Sequence, residues 1–297
     1  MPDAPTTAQR LGHAASARLL IINADDFGMC HSENVATMDG IESGSFCSTT
    51  VMVPCPWFEE AAAYARQAAS ADVGVHITHT SEWATYKWGP VLGQREVPSL
   101  VDERGYLFAD VATLYAAARL DQVEQETRAQ IDKALAAGID VTHLDSHMGT
   151  VQLESSYHEM YVRLAAEYRL PIRMLPHTWL ADMGMGRIAA LADELGIVSP
   201  DHFWNGGPQA PEDTGRYWTE MLRSLKPGVT ELYIHAALDE PEMRAISESC
   251  TQRAADHAFF TAPSTRQLLA DLQIQLVGYR QLRALQRREE LPGPSQG

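Results

Sequence analysis

Along most of the chain, short apolar runs alternate with longer stretches whose apolar residues recur at helical spacing. Runs at 19–23, 46–53, 73–77, 140–144, 171–175, 231–236 and 274–277 read as strands, and the neighbourhood of Phe203 offers one more. Between them, 57–69, 123–137, 157–168, 188–195, 217–225 and 251–260 carry helical spacing, with Gly44, Gly138 and Gly196 where a helix C-cap belongs. Repeated strand–helix units imply a parallel sheet covered by helices. Seven or eight of them in a chain of this length suit a distorted (β/α) TIM-like barrel of the α/β class better than a doubly wound sheet. Periodicity alone does not separate the two.

Residues 1–17, rich in Ala, Thr, Pro and Ser, read as a mobile leader, 18–290 as a single barrel domain, and 291–297 as a disordered tail. The rhythm breaks at 80–110, a stretch with Trp83, Tyr86, Trp88 and Tyr106, which reads as a long βα loop. Loops of that length in compact domains often carry function.

Charge narrows the partners. Lys and Arg number 23 against 39 Asp and Glu, a formal net charge of −16 in 297 residues. Such a surface repels polyanions, which argues against a nucleic acid or an anionic membrane. The densest basic run, Arg280 to Arg288, is diluted by Leu and Gln and reads as one helix face. Cys30, Cys47, Cys55 and Cys250 include no CxxC spacing and make no disulfide framework, so a reducing, cytoplasmic setting is expected. The apolar run at 19–22 is too short for a signal core or a membrane span.

In a parallel barrel, reactive groups lie where strands end. Those places hold Asp25 and Asp26 after the first strand, His76 and then His79 after the third, His143, Asp145 and His147 after the fourth, and His235 late in the chain. Each piece has a plainer reading. Paired aspartates suit a turn or helix cap, His76 between Val75 and Ile77 suits a hydrogen-bonded core, and 143–147 suits a polar loop. Together, two carboxylates and several imidazoles on one face suit a hydrolase that uses a divalent metal.

The blocks Ile22-Asn23-Ala24-Asp25-Asp26-Phe27-Gly28-Met29, Gly74-Val75-His76 and Thr142-His143-Leu144-Asp145-Ser146-His147 resemble the YdjC-like carbohydrate deacetylases, which include the chitooligosaccharide deacetylases. The likeness runs from about Leu19 to about Val277. It implies a distorted barrel that removes acetyl groups from N-acetylated sugars or short oligosaccharides with one divalent cation, zinc or magnesium. It assigns Asp26, His76 and His147 to the metal, Asp25 to the general base and His235 to proton donation. Asp145 is expected to orient a histidine ligand, Arg173 to pair with Asp25, and His143 to lie behind the ligands or near substrate. Trp83 and Trp88 are expected either to stack on sugar rings or to pack on their own loop. The chain departs from the family in Met148-Gly149-Thr150, where further histidines are common, and in Ala236 after His235, where proline is usual. A hydrolase of another amide or ester and a non-catalytic carbohydrate-binding barrel remain alternatives. The expected partner is a small carbohydrate, and a homodimer is left open.

Overall fold

A computed structural model describes residues 5–288. Its strands are β1 (Arg18–Phe27), β2 (Ser48–Val51), β3 (Val73–Ile77), β4 (Val141–Ser146), β5 (His202–Trp204), β6 (Gly228–Ile234) and β7 (Ile274–Leu276). They form one parallel sheet in the order β4-β3-β2-β1-β6-β5. β1 is the longest and meets three partners. One edge runs along β6 from Arg18 to Ala24. The other edge takes β7 at Arg18–Leu20 and then β2 from Asn23 on. Helices such as Phe58–Gln67, Leu120–Ala136, Ser155–Tyr168 and Thr214–Ser224 cover the outside, so the sheet curls into a TIM-like barrel wall.

The stretch at 171–175 was expected to be a strand and is not one. It touches β4 through a single bridge, Leu144 to Ile172, with Ile172 N–H donating to Val198 O at 3.2 Å on the other side. Pro171 and Pro176 bracket this stretch and lack the N–H a ladder needs. The strand around Phe203 does form, as β5. The expected leader is docked over part of its length: Thr7–Arg10 is helical, with Ala8 and Leu11 buried. Asp201 holds it, accepting from Thr7 N–H at 2.6 Å while also accepting from Val229 N–H at 2.8 Å. The expected tail at 291–297 lies outside the described residues. No helix among the described residues is long and apolar enough to cross a membrane.

Side-chain alternation sorts the barrel interior into levels. At the bottom, Leu19 and Ile21 of β1 pack with Val229, Val198 and Val277, beneath which lie Ala8, Leu11 and Leu282. One step up, Asn23 and Glu231 continue the same faces, and the interior turns polar. Here His143 is sandwiched. Its imidazole stacks on Tyr279 at 3.7 Å between centroids with 3° between planes, and its other side meets Gly74.

Gly74 is therefore required by space. A Cβ there would lie 2.5 Å from His143 Cε1 and 2.7 Å from the His143 backbone oxygen, closer than atoms pack. Gly74→Ala should cost about 1–3 kcal/mol by overpacking, read as a lowered midpoint in thermal or urea denaturation. An unchanged midpoint would show that β3 and β4 part freely at this level.

Candidate functional site

The top of the barrel is organised by a bulge. Pairing of β1 with β2 is regular to Ala24, then shifts register before Phe27, and Asp26 takes a left-handed backbone conformation (φ 67°). Consecutive residues of a regular strand point to opposite faces, and a bulge re-aims them. Asp is among the few non-glycine residues that tolerate this conformation. The result is that Asp25 and Asp26 are both buried in the same mouth, 3% and 0% exposed, each within reach of His76.

The two carboxylates meet different partners. Asp25 receives both terminal nitrogens of Arg173 at 2.8 Å, one on each oxygen, and Asn23 Nδ2 at 2.7 Å. Burial by itself would raise its pKa, but the Arg173 charge and hydrogen bonds hold it below the usual carboxylate value. Asp26 Oδ2 accepts from Arg253 at 2.9 Å and lies 3.7 Å from His235 Nε2. Asp26 Oδ1 is buried and accepts no hydrogen bond; the nearest nitrogens are His147 Nδ1 at 3.2 Å and His76 Nε2 at 3.4 Å. Burial works against ionisation of Asp26 too, and the surrounding imidazoles reverse it and hold its pKa well below normal.

Both imidazoles that face Oδ1 have their far nitrogen bound to a carboxylate. His76 Nδ1 meets Asp145 Oδ1 at 2.7 Å, and His147 Nε2 meets Glu82 Oε2 at 2.9 Å. A far nitrogen that donates to a carboxylate leaves the near nitrogen with a lone pair for a cation. Against their burial, these carboxylates raise the pKa of His76 to about 9 and that of His147 well above normal. An unpaired carboxylate oxygen facing two such nitrogens, with ligand atoms of Asp26, His76 and His147 all within 4.8 Å, is a donor set that suits a divalent cation.

Asp25, His76 and Asp145 are equally close together, but that space is filled. Arg173 binds both carboxylates, with its Nη1 3.0 Å from Asp145 Oδ2, and His76 Nδ1 is already spent on Asp145. Arg173, expected to pair with Asp25, does so bidentately.

The remaining candidates fall in several places. His235 sits at the rim with about a third of its side chain exposed; burial of the ring, reinforced by Arg253, lowers its pKa despite Asp26 beside it. His143 lies below the ligands against Tyr279, and its one hydrogen bond is to Thr142 Oγ1 at 2.9 Å. Trp88 is 3% exposed, donates to Thr80 O at 2.9 Å and sets its ring edge-on to His147 at 6.3 Å. It has no open face for a sugar. Trp83 is partly buried, with Arg253 6.0 Å from its ring centre. Glu82, Glu33 and Arg253 were not read from sequence. Glu82 stands just beyond the end of β3, where the strand-end rule would have found it. Arg253, from the first turn of the helix Cys250–Thr261, bonds Asp26 and Glu33, and its position in a helix carries no such signal.

Residues 19–271 match the model of the family described as YdjC-like protein. The chain is 34% identical over 270 residues to a carbohydrate deacetylase of Thermus thermophilus, covering 89% of this chain and 93% of that one. A carbohydrate deacetylase of Brevibacillus brevis is 30% identical over 266 residues, 89% of this chain and 99% of its own. Among solved structures, an Enterococcus faecalis protein whose description proposes cellobiose-phosphate cleavage superposes with a TM-score of 0.76 at 26% identity, covering 90% of this chain and 99% of that one.

Proposed function

This chain belongs to the YdjC-like protein family, and we propose that it is a carbohydrate deacetylase, a hydrolase that removes the acetyl group of an N-acetylated sugar with the help of one divalent cation. The observation that carries the reading is the pair of adjacent carboxylates on the β1 bulge, one clamped by arginine and the other turning an unpaired oxygen toward two imidazoles. Its relatives' names support the substrate class.

Asp26, His76 and His147 would hold the cation, with Asp145 and Glu82 fixing the two rings. A divalent cation there, zinc or magnesium, supplies Lewis acidity toward the acetamide oxygen and toward water. Asp25 is the general base. Arg173 and Asn23 keep it ionised and aimed, so that it removes the proton from the attacking water as that oxygen bonds to the acetyl carbon. The amine is a poor leaving group until it is protonated. His235, at the rim and next to Asp26, is placed to give that proton. Its ring is neutral at rest and reaches solvent at the rim, so it takes a proton from water there and passes it to the amine nitrogen as the C–N bond breaks, while Asp25 later returns the proton it removed to solvent.

Acetate release from a panel of N-acetylated mono- and oligosaccharides by metal-loaded protein tests the reading directly. No release from any of them would remove it.

The two aspartates should separate. Asp26→Asn should lose metal affinity and turnover together, as should His147→Ala. Asp25→Asn should keep its metal by elemental analysis and lose about 10²–10⁴-fold in kcat. Metal loss in Asp25→Asn with retention in Asp26→Asn would reverse the roles.

His235→Ala should impair amide hydrolysis far more than hydrolysis of an activated acetyl ester, which leaves without protonation, and should leave metal content unchanged. Equal losses in both reactions, with a lowered thermal midpoint, would make His235 a structural residue.

A further inference from the structure

Arg173 lies on the stretch 171–175, which joins the sheet through the single bridge of Ile172 to Leu144. Its backbone is tied to Leu144, its N–H donating to Leu144 O at 3.0 Å, and Tyr161 OH donates to Arg173 O at 3.2 Å. The guanidinium has more than one carboxylate in reach, since Asp145 lies as close to it as Asp25 nearly does. Something must decide which one receives the two-pronged contact.

The third edge of the guanidinium is occupied. Arg173 Nε donates to Glu231 Oε1 at 2.9 Å, and the other oxygen of Glu231 accepts from Tyr279 OH at 2.6 Å. Glu231 is fully buried on the inner face of β6, one level below Tyr233. Phe203 and Tyr233 cover the guanidinium with ring centres 5.4 and 5.1 Å from its central carbon. Tyr279 in turn is pinned by its stack on His143. Burial pushes the Glu231 pKa up to about 7, against Arg173 and the tyrosine hydroxyl. Both of its oxygens accept hydrogen bonds, so the contacts are those of the carboxylate. A guanidinium fixed at Nε presents its two terminal nitrogens in one plane and one direction, and here that direction is Asp25.

We infer that Glu231, held by Tyr279, is a positioning residue that aims the general base through Arg173. The chain of contacts is Tyr279–Glu231–Arg173–Asp25, and neither of its first two members touches the reacting groups. The inference rests on Asp25 being the base.

Glu231→Gln keeps the shape and an acceptor for Nε but removes the charge, and Tyr279→Phe removes only the hydroxyl. Each is measured for kcat, KM, metal content and thermal midpoint, in the wild-type and in the Asp25→Asn background. The expected result is a fall in kcat of about tenfold to a hundredfold for Glu231→Gln, as small misplacements of a reacting group produce, with a smaller fall for Tyr279→Phe. KM and metal content should stay unchanged. In the Asp25→Asn background both changes should be silent, because the group they aim is gone. An undiminished loss in that background would overturn the inference, since a structural residue lowers activity whatever stands at position 25. Unaltered kcat in both single variants would overturn it as well. Full activity of Asp25→Asn alone would instead remove the base assignment, a result read before any change at Glu231 is made.

Discussion

Two neighbouring carboxylates buried in one mouth impose the constraint from which the rest of the barrel interior follows. Taking a charge out of water costs several kcal/mol even after relaxation, and the β1 bulge buries two at once. Neither can escape to solvent, because Asp25 and Asp26 are almost wholly enclosed. Every charged group of the upper interior answers that cost. Arg173 faces Asp25, Arg253 faces one oxygen of Asp26, and two imidazoles face the other. These cations are themselves buried and bring further carboxyl groups with them: Glu231 and Asp145 for Arg173, Glu33 for Arg253, Glu82 for His147. The polar interior thus grows outward from the bulge until it reaches the rim or the apolar floor.

The floor is what allows such a core to exist. Inner positions of β1 and β6 run from Leu19, Ile21 and Val229 below to Asn23, Asp25 and Glu231 above, so hydrophobic packing holds the strands in register beneath the charges. The N-terminal helix and Leu282 close that floor, which is why a segment without sequence periodicity is docked rather than loose. His143 and Tyr279 form the transition between the levels: flat rings that pack like apolar groups, one of them offering a hydroxyl upward to Glu231. The unladdered stretch at 171–175 fits the same scheme. Its backbone is held by few hydrogen bonds, and its side chain Arg173 compensates by bonding three strands at once.

What was legible in the sequence follows from how local each signal is. Strand ends are local: the apolar run at 19–22 followed by two aspartates, or Val75-His76-Ile77, announces both the element and the residue it delivers. Asp26, His76, His147, Asp145 and Asp25 were visible for that reason, and the structure brings them together. Arg173 was expected beside Asp25 and is there, but the more distant partners that make these charges tolerable were not visible. Arg253 is 227 residues from the aspartate it bonds, and Tyr279 is 48 from Glu231. Both stand in helices or at helix starts where an Arg or a Tyr is unremarkable. Trp88 shows the converse limit of locality, since its sequence left stacking on a sugar and packing in its own loop equally open. An aromatic in a long loop looks available, yet its ring is spent as a wall beside His147. The strand expected at 171–175 failed because β-type composition was weighed above the missing N–H groups of Pro171 and Pro176.

The neighbouring aspartates differ in the kind of positive charge each has been given. Arg173 is permanently charged and bonded at both terminal nitrogens and at Nε, so the charge facing Asp25 does not change with conditions or ligands. The charge facing Asp26 Oδ1 is carried by imidazoles, whose protons can leave, and the oxygen between them is left without a hydrogen bond. One carboxylate is thereby committed to a fixed partner and the other kept for an exchangeable one. A strand of regular geometry would have sent these side chains to opposite faces of the wall. The left-handed turn at Asp26 is what places a fixed and an exchangeable charge partner side by side, the pairing on which the proposed hydrolysis rests.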